Sequence, residues 1–180
     1  MSEDKPLKFG FISSKQIRND KGTVQAVVKT ARRQDRNGDI ITAVYTVNKN
    51  GPINLEEFYE NGNIAEKGSF TAGAKDGRIP VYGKCGLFES FYKNGQPHRK
   101  YNYSEELKGH LNGTCEIYWP NGKLKCQCAC RDGLLHGDYK TYDQTGKLRR
   151  HVKYEDGTII RTQQSQDQGL IARIFRFGRA

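Results

Sequence analysis

Residues 88–95 read Phe-Glu-Ser-Phe-Tyr-Lys-Asn-Gly, and related copies of this stretch occur three more times in the chain. The other copies end at Gly62, Gly122 and Gly146, and Asn37-Gly38 fits as a weaker first copy. Successive glycines are therefore 24, 33, 27 and 24 residues apart, so the unit is about 24 residues long with two insertions. Self-similarity at a fixed period of this length indicates a repeat architecture.

Each copy places an apolar or aromatic cluster before Asn-Gly or Thr-Gly, which is a strong short-range signal for a β-hairpin. We expect a two-residue type I′ turn there, because that turn needs positive φ at both central positions. A second glycine follows eleven residues later in three copies, at Gly73, Gly133 and Gly157. The sequence predicts an all-β fold, an extended antiparallel meander of hairpins with tight and looser turns alternating, forming a single curved sheet.

A two-residue turn also fixes which residues share a face of the sheet. The seventh residue before the turn glycine should pair with the sixth after it, on the apolar face that we assign to the core. The pairs are Leu55/Gly68, Phe88/Tyr101, Cys115/Cys128 and Tyr139/Val152. Closer to the turn, the same face should hold Tyr59/Ile64, Tyr92/Pro97 and Trp119/Leu124.

The opposite face is predicted to combine charges with aromatic rings. Glu56 faces Lys67 and Glu89 faces Lys100, and such pairs contribute roughly 0.2–1 kcal/mol each. The aromatic residues that recur in register on this face are Phe58, Phe91, Tyr118 and Tyr142. We expect these rings, with Glu89 and Glu116 beside them, to bind a protein partner, because aromatic side chains dominate interface hot spots.

The positive charge is concentrated at the two ends of the chain. Of the formal net charge of +10, residues 1–36 carry +5 and residues 158–180 carry +3, which leaves +2 for the 121 residues between them. We predict a basic β extension with a possible degenerate first repeat over 1–52, hairpin repeats over 53–157, and a basic amphipathic tail over 158–180. In the tail, Arg173 and Arg176 flank apolar residues at helical spacing. Such a segment either contacts a partner or a membrane, or it covers the last open strand of the meander.

Three features predict a cytoplasmic location. The first residues are acidic and lack the apolar segment of a signal peptide. No stretch approaches the roughly 18 apolar residues of a membrane span. The five cysteines, an odd number, indicate reduced thiols. The sequence leaves the oligomeric state open.

The run Cys126-Gln-Cys-Ala-Cys130 is the strongest candidate for a metal site, but strand geometry argues against it. Alternate side chains on a strand stand roughly 6.6–7 Å apart, whereas zinc holds each sulfur at about 2.3 Å. Sister repeats place Tyr101 and Tyr103 at the positions of Cys128 and Cys130. We therefore expect small core residues here, and neither a metal nor any other cofactor.

The remaining polar residues do not form a catalytic constellation in the sequence. The four histidines, His98, His110, His136 and His151, show no catalytic or ligand spacing to a carboxylate or cysteine and are expected at the surface. The glutamates of the repeats recur in register, which favours cross-strand pairing over acid–base catalysis. Arg32, Arg33 and Arg36 lack aromatic neighbours for stacking on bases and are expected on a solvated face. The sequence thus predicts a protein that is not an enzyme.

The unit Gly-x-Tyr-x-x-Tyr-x-x-x-Gly-Lys-Leu, present from Gly137 to Leu148, resembles the MORN-variant repeat. Gly113 to Leu124 and Gly86 to Pro97 match it less fully, and residues 53–73 match loosely. Proteins of this kind are often antitoxin or immunity components paired with secreted polymorphic toxins or contact-dependent toxins in bacteria. The resemblance implies a non-catalytic cytoplasmic protein that binds the domain of a cognate secreted toxin and covers its active site. It transfers no catalytic or toxin-binding residues.

A second function class remains open from the charge distribution. The basic termini suit an adaptor that binds nucleic acid or anionic lipid. In that case removal of residues 1–36 and 158–180 would abolish binding, whereas an interface carried by the repeats would survive. Because the repeats are nearly neutral, no obligatory nucleic-acid partner is predicted for them.

Overall fold

A computed structural model of the chain describes residues 10–35, 37–49, 51–71, 83–106 and 109–163. These residues form twelve β-strands and contain no helix, so the described part of the chain has no helix that could span a membrane. The strands are β1 (Gly10–Arg18), β2 (Val24–Gln34), β3 (Ile40–Asn48), β4 (Ile53–Tyr59), β5 (Ile64–Phe70), β6 (Lys84–Phe91), β7 (Pro97–Tyr103), β8 (Leu111–Tyr118), β9 (Leu124–Arg131), β10 (Leu134–Tyr142), β11 (Leu148–Glu155) and β12 (Thr158–Gln163).

All twelve strands belong to one open sheet, in which spatial order equals chain order. Each strand runs antiparallel to the next, from the β1–β2 pair to the β11–β12 pair. The prediction of an all-β antiparallel meander is therefore confirmed. β12 lies in the segment predicted as a tail and extends the sheet by one strand. The predicted helical spacing around Arg173 and Arg176 lies outside the described residues.

The turns at the repeat glycines are three-residue turns, so the type I′ prediction is wrong. The amide of Tyr59 donates to the carbonyl of Asn63 at 2.8 Å, and the amide of Gly62 donates to the carbonyl of Tyr59 at 2.9 Å. Only the glycine has positive φ, at +83°. This is a type I turn followed by a glycine bulge, a common three-residue hairpin loop. The same hydrogen bonds recur at Gly22, Gly38, Gly95, Gly122 and Gly146.

Type I′ turns occur at the other end of the hairpins. Asp132 and Gly133 both have positive φ, at 51° and 84°, and they join Arg131 directly to its partner Leu134. Asp156-Gly157 repeats this geometry between β11 and β12, with φ values of 44° and 82°. Aspartate tolerates the left-handed region better than most residues. At Gly133 and Gly157, the turns that the sequence marks as looser are therefore the tight ones.

A β-bulge after the turns at Gly62, Gly95, Gly122 and Gly146 restores the predicted register deeper in each hairpin. In the β4–β5 hairpin Glu57 pairs with Glu66 while Phe58 pairs with Ile64, so Ala65 is the extra residue. The turn holds one residue more than predicted and the bulge takes up one, which leaves Leu55 opposite Gly68 as predicted. The equivalent bulge residues are His98, Lys125 and Arg149.

Close to the turns, the predicted pairing is wrong for this same reason. Ile64, Pro97 and Leu124 do not face Tyr59, Tyr92 and Trp119. The observed pairs are Phe58/Ile64, Phe91/Pro97, Tyr118/Leu124 and Tyr142/Leu148. Because cross-strand partners share a face, these aliphatic residues lie with the aromatics on the face opposite the core.

The core face is the one that the sequence assigns to it. Leu55, Phe88 and Tyr139 are 6%, 4% and 0% exposed. Phe88 packs edge-on between the rings of Phe70 and Tyr103, with centroid distances of 5.3 and 5.5 Å. In a sheet of one layer, large side chains thus bury one another by packing across neighbouring strands. The opposite face is called the outer face below.

Candidate functional site

The outer face carries a repeating band of partly buried apolar side chains near the repeat turns. This band, the outer stripe, consists of Phe58, Ile64, Phe91, Pro97, Tyr118, Leu124, Tyr142 and Leu148. The four aromatic residues are all partly exposed, and Leu148 is 47% exposed. The predicted aromatics therefore lie where the sequence places them. Their aliphatic partners were missed because the bulge that moves them is invisible in the hydrophobic pattern.

A row of charged and polar side chains runs beside the outer stripe. This charged row follows direct cross-strand partners through eight strands and consists of Glu56, Lys67, Glu89, Lys100, Glu116, Gln127, Lys140 and His151. Three glutamates and three lysines leave its net charge near zero when His151 is neutral. The row presents both signs of charge in alternation over most of its length.

Glu89 is the best-connected member of the charged row. Its carboxylate lies 2.8 Å from the Lys67 ammonium and 3.7 Å from that of Lys100, while its side chain is only 16% exposed. Lys67 thus bonds to Glu89 in the next repeat, although Glu56 is its partner within the hairpin. The recurring glutamates Glu56, Glu89 and Glu116, called the glutamate column below, thus include one that links two repeats. This agrees with the structural role expected from their recurrence.

Glu116 accepts two hydrogen bonds that fix it against the outer stripe. The Tyr118 hydroxyl donates to it at 2.5 Å and the Gln127 amide donates to it at 3.1 Å. Burial, and next the hydrogen bond to Glu116, raise the pKa of Tyr118 to about 12. The phenol therefore stays neutral and remains a donor at physiological pH.

Two lysines of the charged row reach over rings of the outer stripe. The Lys67 ammonium lies 5.7 Å from the Phe91 ring centroid, and the Lys100 ammonium lies 5.9 Å from that of Tyr118. Cation–π contacts at exposed sites contribute about 0.5–1 kcal/mol. The stripe and the row therefore form one surface, in which cations border the apolar band.

A ladder of side-chain hydrogen bonds holds the outer stripe in place from the core side. Tyr59, Tyr92 and Trp119 each donate to a backbone carbonyl of the following repeat, at 3.0, 2.8 and 3.1 Å. The acceptors are the carbonyls of Phe91, Tyr118 and Tyr142, which are themselves stripe residues. A second ladder joins successive turns through Asn61, Asn94 and Asn121. The backbone at Phe91, Tyr118 and Tyr142 is thus held by side-chain hydrogen bonds from the preceding repeat.

One of the basic residues near the N-terminus forms an ion pair within the sheet. The Arg33 guanidinium forms a two-pronged ion pair with Glu57, whose side chain is 6% exposed, with Nε 3.0 Å from Oε1. The expectation of a solvated face is therefore wrong for Arg33, which spans β3 to reach its partner. Arg36, Arg173 and Arg176 lie outside the described residues.

Three histidines make contacts that the sequence does not predict. His98 stacks on the Tyr92 ring at a centroid distance of 4.4 Å, and burial lowers its pKa to about 4. His151 Nε2 lies 3.0 Å from Asp138 Oδ1, and His136 Nδ1 lies 3.2 Å from Asp156 Oδ1. Each of the two carboxylates is more than half exposed, which is the setting of a surface ion pair. The sequence missed these pairs because the partners lie across strands.

The cysteines are buried, as predicted, but their sulfurs are closer than predicted. Cys126, Cys128 and Cys130 are 2%, 4% and 5% exposed. Cys115, on the neighbouring strand, is 2% exposed, and its Sγ lies 4.0 Å from that of Cys130. The sulfurs of Cys115, Cys128 and Cys130 all lie within 4.8 Å of one another. The spacing argument failed because it considered one strand and ignored the convergence of side chains from two.

Four segments of the chain match the family described as MORN repeat variant, at residues 54–72, 84–105, 111–128 and 135–156. No curated protein matches the chain significantly. Each matched segment covers one hairpin: β4–β5, β6–β7, β8–β9 or β10–β11. The outer stripe, the glutamate column and the ladder of Tyr59, Tyr92 and Trp119 are all built from equivalent positions of these repeats. The chain is therefore a MORN-repeat protein.

Proposed function

We propose that this protein is a non-catalytic binding protein that uses the outer face of its repeat sheet to bind another protein. We further propose that the partner is a cognate bacterial toxin domain, whose active site is covered in the complex. The chain would then act as an immunity protein or antitoxin in the cytoplasm. MORN-repeat proteins are generally not enzymes, which supports the non-catalytic part.

The observation that carries the binding proposal is the outer stripe. Eight apolar side chains in register lie on the face opposite the core, partly open to solvent. Strand pairing alone does not require aromatic residues at these positions, and a contiguous exposed apolar patch bordered by polar residues typically marks an interaction site. The stripe thus supplies the apolar centre of an interface and the charged row supplies a polar rim.

The chemistry of the two rows indicates the kind of surface that would fit. The alternation of Glu89 and Glu116 with Lys67 and Lys100 suits a partner of mixed charge. The rings are attached to a backbone that the ladders hold rigid. Their ordering therefore costs little additional entropy on binding. The outer face favours a broad protein surface over a small ligand, since its apolar side chains extend across eight strands.

The identity of the partner as a toxin rests on the resemblance of the repeats to those of antitoxin and immunity proteins. Such a partner would be a secreted effector encoded beside the gene of this chain. The test is co-expression of that neighbouring protein with this chain. The proposal expects growth arrest by the neighbouring protein alone and recovery when wild-type chain is present. A neighbouring protein that lacks toxicity, or toxicity that this chain does not relieve, would refute the toxin assignment.

The alternative, an adaptor for nucleic acid or anionic lipid, rests on the basic ends of the chain. Deletion of residues 1–36 is a poor test of it, because that segment includes β1 and β2 of the sheet. Substitution of Lys15 and Arg18 by glutamine leaves the strands in place and removes exposed charge. The adaptor would be favoured if the wild-type chain binds RNA or vesicles but no toxin, and if this variant loses the RNA or vesicle binding.

A further inference from the structure

One repeat differs from its neighbours in the residues that fill its core. Cys115, Cys128 and Cys130 occupy the positions that the preceding repeat fills with Phe88, Tyr101 and Tyr103. The following repeat has Tyr139, Val152 and Tyr154 there. All three thiols are free, and each is at most 5% exposed. Three neighbouring positions thus carry cysteine together where sister repeats carry larger side chains.

The three sulfurs have the separation of ligands around one ion. They lie within 4.8 Å of one another, and Cys115 Sγ is 4.0 Å from Cys130 Sγ. An equilateral triangle with sides of about 4.0 Å places its centre about 2.3 Å from each corner, which is the usual zinc–sulfur distance. The longest separation needs to shorten by less than about 1 Å to reach this geometry. The sulfur of cysteine moves by rotation about the single Cα–Cβ bond, and small rotations at the three residues change these separations by tenths of an ångström.

We propose that Cys115, Cys128 and Cys130 form a binding site for one thiophilic metal ion of the Cu(I) or Zn²⁺ class. Soft thiolate ligands select these ions over the hard cations Mg²⁺ and Ca²⁺. The ligands bind as thiolates, so their protons leave to solvent and affinity rises with pH. A Zn²⁺ ion would lie slightly out of the plane of the three sulfurs and keep a fourth position for water. This inference replaces the expectation of no metal, which compared sulfurs along a single strand.

Packing alone does not explain the choice of cysteine at all three positions. Val152, at the position of Cys128 in the following repeat, is 1% exposed and shows that an aliphatic side chain fits there. Cysteine in a core otherwise behaves as a small hydrophobe, a role that alanine or valine fills without a reactive thiol. Cys85 offers the contrast, since it is buried in another repeat and its thiol donates to the Ser69 carbonyl.

The site can be tested by titrating the reduced, metal-free full chain with Cu(I) and, separately, with Zn²⁺ against a competing chelator. Co²⁺ substituted for Zn²⁺ reports thiolate ligation through a charge-transfer band in the near ultraviolet. The proposal expects one equivalent of at least one of the two ions per chain. Cys115→Ser, Cys128→Val and Cys130→Ser should each weaken binding at least tenfold. Cys128→Val copies Val152 and is the variant chosen to preserve the core.

Cys85→Ser is the matched control and should bind as tightly as the wild type. Circular dichroism confirms that each variant retains its β spectrum before titration. The proposal is overturned if the wild type takes up neither ion at one equivalent. It is also overturned if folded Cys128→Val binds as tightly as the wild type, or if Cys85→Ser weakens binding as much as the other three.

Discussion

The hydroxyl of Tyr92 donates a hydrogen bond to the backbone carbonyl of Tyr118 in the next repeat, at 2.8 Å. Tyr92→Phe removes this bond and leaves the ring in place. The free energy of unfolding should fall by about 1 kcal/mol, the typical net contribution of one such bond. Urea denaturation should show a lower midpoint with an unchanged slope.

Tyr142→Phe is the control for this experiment, because no hydrogen bond of the Tyr142 hydroxyl is found among the described residues. Its midpoint should match that of the wild type. If both variants lose the same stability, the effect belongs to tyrosine hydroxyls in general and the ladder does not couple the repeats.

Gly68 is required by the packing of Phe88. A Cβ added at Gly68 would lie 2.6 Å from three atoms of that ring, closer than real Cβ contacts. Phe88 is 4% exposed and has little room to move. We expect Gly68→Ala to destabilise the fold by about 1–3 kcal/mol through overpacking. Gly51→Ala is the control, since its Cβ would meet Asn48 at an ordinary 3.5 Å. Equal urea midpoints for Gly68→Ala and Gly51→Ala would show that the added Cβ at Gly68 does not clash with Phe88.

His98 should make stability depend on pH. Its pKa is lowered to about 4 in the fold, mainly by burial and next by Arg99, whereas the unfolded value is near 6.5. The unfolded state therefore binds more protons between these values, so stability is complete above about pH 6.5 and declines as pH falls toward 4. With screening by solvent, the loss at pH 5 should be about 1 kcal/mol. In His98→Gln the free energy of unfolding should change less with pH over this window. If its pH dependence equals that of the wild type, His98 is not the group responsible.

Much of the fold follows from the spacing of the repeat glycines and the alternation of side chains. The pairing of Leu55 with Gly68 was predictable even though the turn type was not, because the extra turn residue and the bulge at Ala65 cancel. The type of a hairpin turn depends on φ at single residues, and Asn-Gly is compatible with more than one. The sequence therefore fixes the faces of the hairpins better than their ends.

The candidate binding surface was only half predictable for the same reason. Phe91 and Tyr118 lie on the outer face as expected, since their register is set within the strand. Pro97 and Leu124 were assigned to the core, because nothing in a period-two pattern marks the bulges at His98 and Lys125. The short distance between the sulfurs of Cys115 and Cys130 also depends on how two strands pair. The alternation of apolar and polar residues along one strand does not describe this.

Binding through the outer stripe can be measured by calorimetry with the proposed partner, the product of the neighbouring gene. Phe91→Ala and Tyr118→Ala should each weaken binding by about 1–2 kcal/mol, or roughly five- to thirtyfold. Arg99→Ala, an exposed substitution on the core side, should leave affinity unchanged, and all three variants should melt close to the wild type. Folded Phe91→Ala and Tyr118→Ala proteins that bind as tightly as the wild type would contradict the claim.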